Sequence, residues 1–159
     1  MPNIARFSLR EEMVCVDSKD PYVEGDLPVA PFVERRPVTG EVVAVLRGCW
    51  DDRALCLIPQ PSRALGQGEI HEVILTDEDP RPGDKVDRIA YFAFVQIDEG
   101  GVALVGDRVR VGSGSGILAG FDPTHMPNHY NIIVRVRNCL ADGEEQRLQL
   151  GDRMRIVGT

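Results

Sequence analysis

Two of the three histidines of this 159-residue chain fall in one short stretch, GFDPTHMPNHYNI at positions 120–132, beside two prolines, an aspartate and two asparagines. His125 and His129 have the HxxxH spacing that on a helix places both imidazoles on one face, a standard arrangement for holding zinc. Pro123 and Pro127 oppose a helix here, because each lacks an N–H and pushes the residue before it towards extended geometry. A fully extended backbone would separate the two α-carbons by about 13 Å, too far to share one ion. Common coordination therefore requires a turn at Pro127 and Asn128, a pair with good turn chemistry.

The strand that follows, YNIIVRV, alternates. Tyr130, Ile132, Val134 and Val136 take one face, and His129, Asn131, Ile133 and Arg135 take the other. If the first face fills a core, His129 and Asn131 face solvent, a groove or a subunit interface. The third histidine, His71, lies in GEIHEVIL, where period two puts it on the same face as Glu69. His71, His125 and His129, with Asp122 or Glu69 as an oxygen ligand, have the composition of a mononuclear divalent-metal site. The same stretch also suits a small organic molecule, with Asp122, Thr124, His125, Asn128, His129 and Asn131 as its contacts at the mouth of a β-barrel. Against both stands the plainer reading that these polar side chains satisfy backbone groups in a tight loop.

No other group of residues carries a comparable signal. GSGSG at 112–116 lacks the lysine and following helix of a phosphate-binding loop and reads as a hairpin tip. Ser113 and Ser115 have no assignable base. Cys49 and Cys56 flank WDDRAL without a CxxC motif, so the thiols read as buried neighbours, and Trp50 with Asp51 and Asp52 reads as an exposed turn.

The elements that must position these residues read as strands. TGEVVAVLRG, RALCLIP, IHEVILTD, KVDRIAYFAFVQID, VALV, RVRVG, GILAGF, HYNIIVRVRN, RLQL and RMRIVG are short apolar or alternating runs separated by turn signals. One helical turn is expected in or near PSRALGQGE. GDKV, GDRV and GDRM, at Gly83, Gly106 and Gly151, mark strand entry: glycine supplies a positive φ and aspartate caps the turn. Together these predict an all-β fold, a single small β-barrel or barrel-like sandwich over 38–159. An extended, proline-rich arm covers 1–37. In RIAYFAFVQI both faces are apolar, which predicts a strand buried on two sides, in a layered fold or between subunits, and hence a homo-oligomer.

VALVGDRVRVGSGSGILAGF and LQLGDRMRIVG resemble the strand-entry signatures of the second-domain β-barrels of translational elongation factors, over residues 102–158. No nucleotide-binding domain accompanies them, so the resemblance implies a barrel and no translational role. IHEVILTDE, IAYFAFVQID and GFDPTHMPNHYNI together also look like a small uncharacterised bacterial family, which implies no activity.

Composition narrows the function classes. A formal charge of −7 disfavours attraction to nucleic-acid phosphates. No window approaches the roughly 20 apolar residues that span a bilayer, and the amino terminus lacks the apolar core of a secretory signal, so a cytoplasmic location is expected. The leading expectation is a noncatalytic small-ligand-binding or assembly module with the 120–132 loop at its recognition surface. The alternative is a metal-dependent hydrolase or lyase with His71, His125 and His129 as ligands and Asp122 or Glu69 as acid or base.

Overall fold

The doubly apolar run becomes the longest strand and the hub of the sheet. In the computed structural model, which describes residues 31–138 and 140–159, it forms β7 (Ile89–Glu99). The other strands are β1 (Val38–Val45), β2 (Cys49–Trp50), β3 (Leu55–Cys56), β4 (Ser62–Leu65), β5 (Ile70–Thr76), β6 (Lys85–Val86), β8 (Gly101–Leu104), β9 (Arg108–Val111), β10 (Gly114–Asp122), β11 (Asn131–Arg135) and β12 (Arg153–Val157). The described residues contain no helix.

Seven strands close into a ring in the order β1, β12, β9, β10, β11, β5, β7 and back to β1, with β2 appended to β7. Every neighbouring pair in the ring is antiparallel except β11 with β5. The pairs β3–β6 and β4–β8 stand outside it. The all-β expectation therefore holds, as a closed and sandwich-like ring.

Two apolar clusters explain why β7 is oily on both faces. Ala90, Phe92, Ala93, Val95 and Ile97 join Val73, Phe121, Ile132, Val134 and Met154 in the main core inside the ring. Ile89 and Tyr91 join Leu55, Leu57, Ile74, Val86, Ala119 and Ile133 in a second cluster on the other side of the sheet. Both faces are thus covered within one chain, the layered alternative for such a strand.

The three GD turns share one construction. Gly83, Gly106 and Gly151 all have positive φ, at 90°, 98° and 84°. In each, the following aspartate accepts the N–H three residues before it: Arg81 to Asp84, Leu104 to Asp107, Gln149 to Asp152. Each leads directly into a strand, β6, β9 or β12. Asp107 is also gripped by Arg35 through two short contacts of 2.7 and 2.6 Å. That pair ties the described end of the expected arm to the ring; residues 1–30 of the arm lie outside the described residues.

Three local expectations are corrected. PSRALGQGE contains strand β4, because pairing with β8 supplies the hydrogen bonds that a short helical turn would make internally. RLQL is not a strand: Asp142 accepts the Glu145 and Gln146 N–H groups, Arg147 takes a φ of 55°, and only Leu148 of the two leucines is buried. Cys49 is exposed, since β2 and β3 pair with β7 and β6 and not with each other. Cys15 and Cys139 lie outside the described residues. Trp50 is exposed as expected.

Ring closure has a steric requirement at Gly40, where β1 lies between β7 and β12. A Cβ there would collide with the Gln96 carbonyl oxygen and sit 3.2 Å from Met154 Cε. Gly40→Ala is expected to lower stability by about 1–3 kcal/mol, the range for overpacking a closed interior, read as a lower urea midpoint with an unchanged m-value.

Candidate functional site

β10, β11, β5 and β7 are consecutive in the ring, and their registers align one outward-facing row across four strands. Asp122 pairs with Asn131, Asn131 with Glu72, and Glu72 with Phe94. Such a row brings cross-strand neighbours within side-chain reach. The 123–128 segment folds over its end.

That segment is the turn the histidine spacing required. Met126 N–H donates to the Pro123 carbonyl, and the Asn128 and His129 N–H groups both donate to the His125 carbonyl, at 2.9 and 3.4 Å. Asp122, 1% exposed, organises its start. Its carboxylate accepts from Thr124 N–H at 3.0 Å, Asn131 Nδ2 at 3.0 Å and Cys56 N–H at 2.8 Å. Asp122 and Asn131 therefore serve the fold directly, and Thr124 does so through its backbone.

The turn sets His125 and His129 against Glu72. His129 Nε2 lies 3.1 Å from Glu72 Oε2 and 3.2 Å from His125 Nδ1, and His125 Nδ1 lies 3.7 Å from Glu72 Oε2. The His129 and Glu72 side chains are 8% and 6% exposed, whereas His125 is 40% exposed. Phe94 packs its ring against the His129 imidazole at 4.9 Å, near perpendicular. The Asn128 side-chain amide sits 2.8 Å from His129 Nδ1. Two imidazoles and one carboxylate are a ligand set suited to zinc and to other first-row divalent ions. Phe94 and Asn128 hold the His129 ring in place, as outer partners of a metal ligand do.

His71 is not in this group. Adjacent residues of a strand point to opposite faces, so Glu72 turns outward and His71 inward, towards the core residue Tyr130. Both of its ring nitrogens are engaged: Nδ1 accepts the Tyr130 N–H at 3.1 Å and Nε2 donates to Glu69 at 2.6 Å. The structure thus brings together two of the three expected histidines and supplies Glu72 in the position expected of His71. Glu69 stands on the His71 side of the strand, as period two implied. Burial works to raise the Glu69 pKa, but the hydrogen bonds from His71 and Gly66 and the electrostatic attraction of His71 and Arg63 outweigh it and hold the carboxyl below its ordinary value of 4.5.

A family model described as "Family of unknown function (DUF6917)" matches residues 32–157. The chain belongs to the DUF6917 family. No curated protein and no solved structure matches it. The likeness to elongation-factor barrels accordingly rests on the strand-entry motifs alone. The matched span includes every residue of the site and all twelve strands. No helix among the described residues is long and apolar enough to cross a membrane.

Asp122→Ala would strand three donors at once. With hydrogen bonds to a charged acceptor worth about 1.5–3 kcal/mol each, a loss of roughly 3 kcal/mol or more is expected in chemical denaturation at neutral pH. Glu69 makes a separate prediction. Its depressed folded-state pKa contributes stability that is present above the unfolded pKa and lost as pH falls through the folded one. The stability deficit of Glu69→Gln should therefore be full near neutrality and shrink in acid, as followed by denaturation midpoints across a pH series.

Proposed function

We propose that this protein binds a divalent transition-metal ion at Glu72, His125 and His129 and uses the ion as a noncatalytic recognition point for a small ligand. The single observation behind this reading is the triangle of donor atoms. Separations of 3.1, 3.2 and 3.7 Å have a circumradius of about 1.95 Å, so an ion at about 2.0–2.2 Å from all three would sit roughly 0.5–1 Å out of their plane. Three ligands capping one side of an ion leave its other positions open to water or a guest. The partial exposure of His125 marks the side from which a guest would approach.

Two further features support it. With its Nε2 on a metal, His129 carries its proton on Nδ1, where the Asn128 amide oxygen can accept it once the amide is turned to face the ring. Asn131 Oδ1, next to Glu72 in register, is a buried acceptor with no donor among the described residues. A buried acceptor of this kind costs about 1–3 kcal/mol if nothing satisfies it, which suits a row built around a guest.

Binding is favoured over hydrolysis or lysis because the carboxylates expected as acid or base are committed elsewhere. Asp122 accepts three hydrogen bonds and Glu69 is tied to His71. A homo-oligomer loses the support drawn from β7, since both faces of that strand are covered within the chain.

The test is titration of metal-stripped protein with Zn2+ by calorimetry and with Co2+ by visible absorption. One ion per chain is expected, with a cobalt spectrum of imidazole and carboxylate ligation. Glu72→Gln and His129→Ala should each weaken binding by more than about a hundredfold, beyond the usual effect of outer partners. His71→Gln should leave the cobalt spectrum unchanged. Folded protein that takes up no ion, or that binds equally well in the Glu72 and His129 variants, would remove the reading.

A further inference from the structure

At the end of the ring away from the histidines, β9 turns into β10 and β11 runs out. A cavity of about 630 Å3 opens there, within the size range of sites that enclose small organic molecules. Its lining on β11 begins at Val134, three residues beyond Asn131 or about 10 Å at the rise of an extended strand, and its lining on β5 includes Val73, which points to the opposite face from its neighbour Glu72. The cavity therefore shares no residue with the Glu72 site.

The sequence explains how closely neighbouring groups approach β10 beside the cavity. Counting back from Leu118 in twos, the inward positions of β10 are Gly116 and Gly114, and the strand contributes no side chain to the interior here. Their inward direction is borne out by what a Cβ would meet: Phe92 Cζ at 3.1 Å from Gly114 and Val134 Cγ1 at 2.6 Å from Gly116. Phe92, Val111 and Val134, all members of the main core, form an apolar floor. The loop tip GSGSG, a hairpin as its composition suggested, stands at the edge.

The charge of the lining is the second observation. Arg108, Arg110, Arg135 and Arg137 all line the cavity and no aspartate or glutamate does, in a chain whose formal charge is −7. Arg135 is paired with Asp79 at 3.1 Å. Arg108, Arg110 and Arg137 are exposed and have no ion pair among the described residues. Exposed cations gathered beside a low-dielectric floor focus a positive potential on the opening. Guanidinium groups also match carboxylate, sulfonate and phosphate oxygens in geometry.

We propose that this end of the ring binds an amphipathic organic anion, a molecule with an apolar body against Phe92, Val111 and Val134 and an acidic head among the arginines. A purely apolar guest would leave the cationic rim without a role, and an inorganic anion would use the arginines alone and leave the volume above Phe92, Val111 and Val134 unfilled. The site is independent of the metal reading, and the two fail separately.

The experiment uses the full chain in a chelating buffer, so that metal plays no part. The probe is 1-anilinonaphthalene-8-sulfonate, compared with its uncharged relative N-phenyl-1-naphthylamine. Saturable binding of one sulfonate per chain is expected, at least tenfold tighter than the neutral dye and weakened by added salt. At constant ionic strength decanoate should displace it, and decanol and inorganic sulfate should not. The surface variant Arg110→Ala/Arg137→Ala should lose at least tenfold in affinity with its thermal unfolding unchanged, and Arg137→Glu should lose more. Equal binding of the neutral dye, displacement by sulfate, full affinity in the arginine variants, or no saturable binding would each overturn the proposal.

Discussion

The parallel pairing of β11 with β5 is the constraint on which the rest of the molecule depends. It is the one parallel contact in an otherwise antiparallel ring, and it joins segments that are distant in sequence. Parallel neighbours cannot be linked by a tight hairpin. The intervening chain must travel round the molecule, and in doing so it builds β6 to β10. The pairing sets Asn131 opposite Glu72 and delivers the Tyr130 N–H to His71 and the Tyr130 carbonyl to the Glu72 N–H. Slipping this register by one residue would exchange the inward and outward sets along β11. Ile132 and Val134 would then leave the core, so the hydrophobic demand that closes the ring also holds the polar row in alignment.

The row survives because the outer face of this part of the sheet is not solvated. Ile74 and Ile133 are covered by Leu55, Leu57 and Val86 on that face, and the 123–128 turn closes over its upper end. Buried polar groups are tolerated when their hydrogen-bonding capacity is filled. Asp122 meets that condition through three donors, and His71 meets it through Glu69 and Tyr130. The Glu72, His125 and His129 group is different in kind. Two ring nitrogens and a carboxylate oxygen converge on one point, an arrangement whose mutual repulsion a proton partly relieves and a divalent cation relieves more fully.

The ring presents opposite chemistries at its two ends. Near the start of β11 a carboxylate and two imidazoles converge beside a tight loop. Near its end, four arginines line a cavity that has core residues at its base. β10 contributes to both through its composition, with glycines at one end and Phe121 and Asp122 at the other. The glycines let Phe92 and Val134 approach the strand closely beside the cavity, and Asp122 holds the loop at the other end.

Local chemistry alone determined a good deal. Period-two alternation separated Tyr130, Ile132, Val134 and Val136 from His129 and Asn131, and it placed Glu69 with His71. The GD pattern announced three turns that share one hydrogen-bonding plan, and in THMPNH the spacing made shared coordination by the two histidines conditional on a bend at Pro127 and Asn128. Each of these follows from backbone geometry over a few residues. The choice of Glu72 over His71 as the third member of the site was not legible in this way. Period two states which residues of one strand share a face, but it does not say which face another strand's residues will meet. That depends on β5 lying beside β11 in one particular register, a contact between residues nearly sixty positions apart. The same holds for Phe94 against His129, for the coverage of both faces of β7 within one chain and for the arginines at the open end. Only packing of the whole ring brings these residues together, because the free energy that selects the pairing is the burial of both apolar clusters at once.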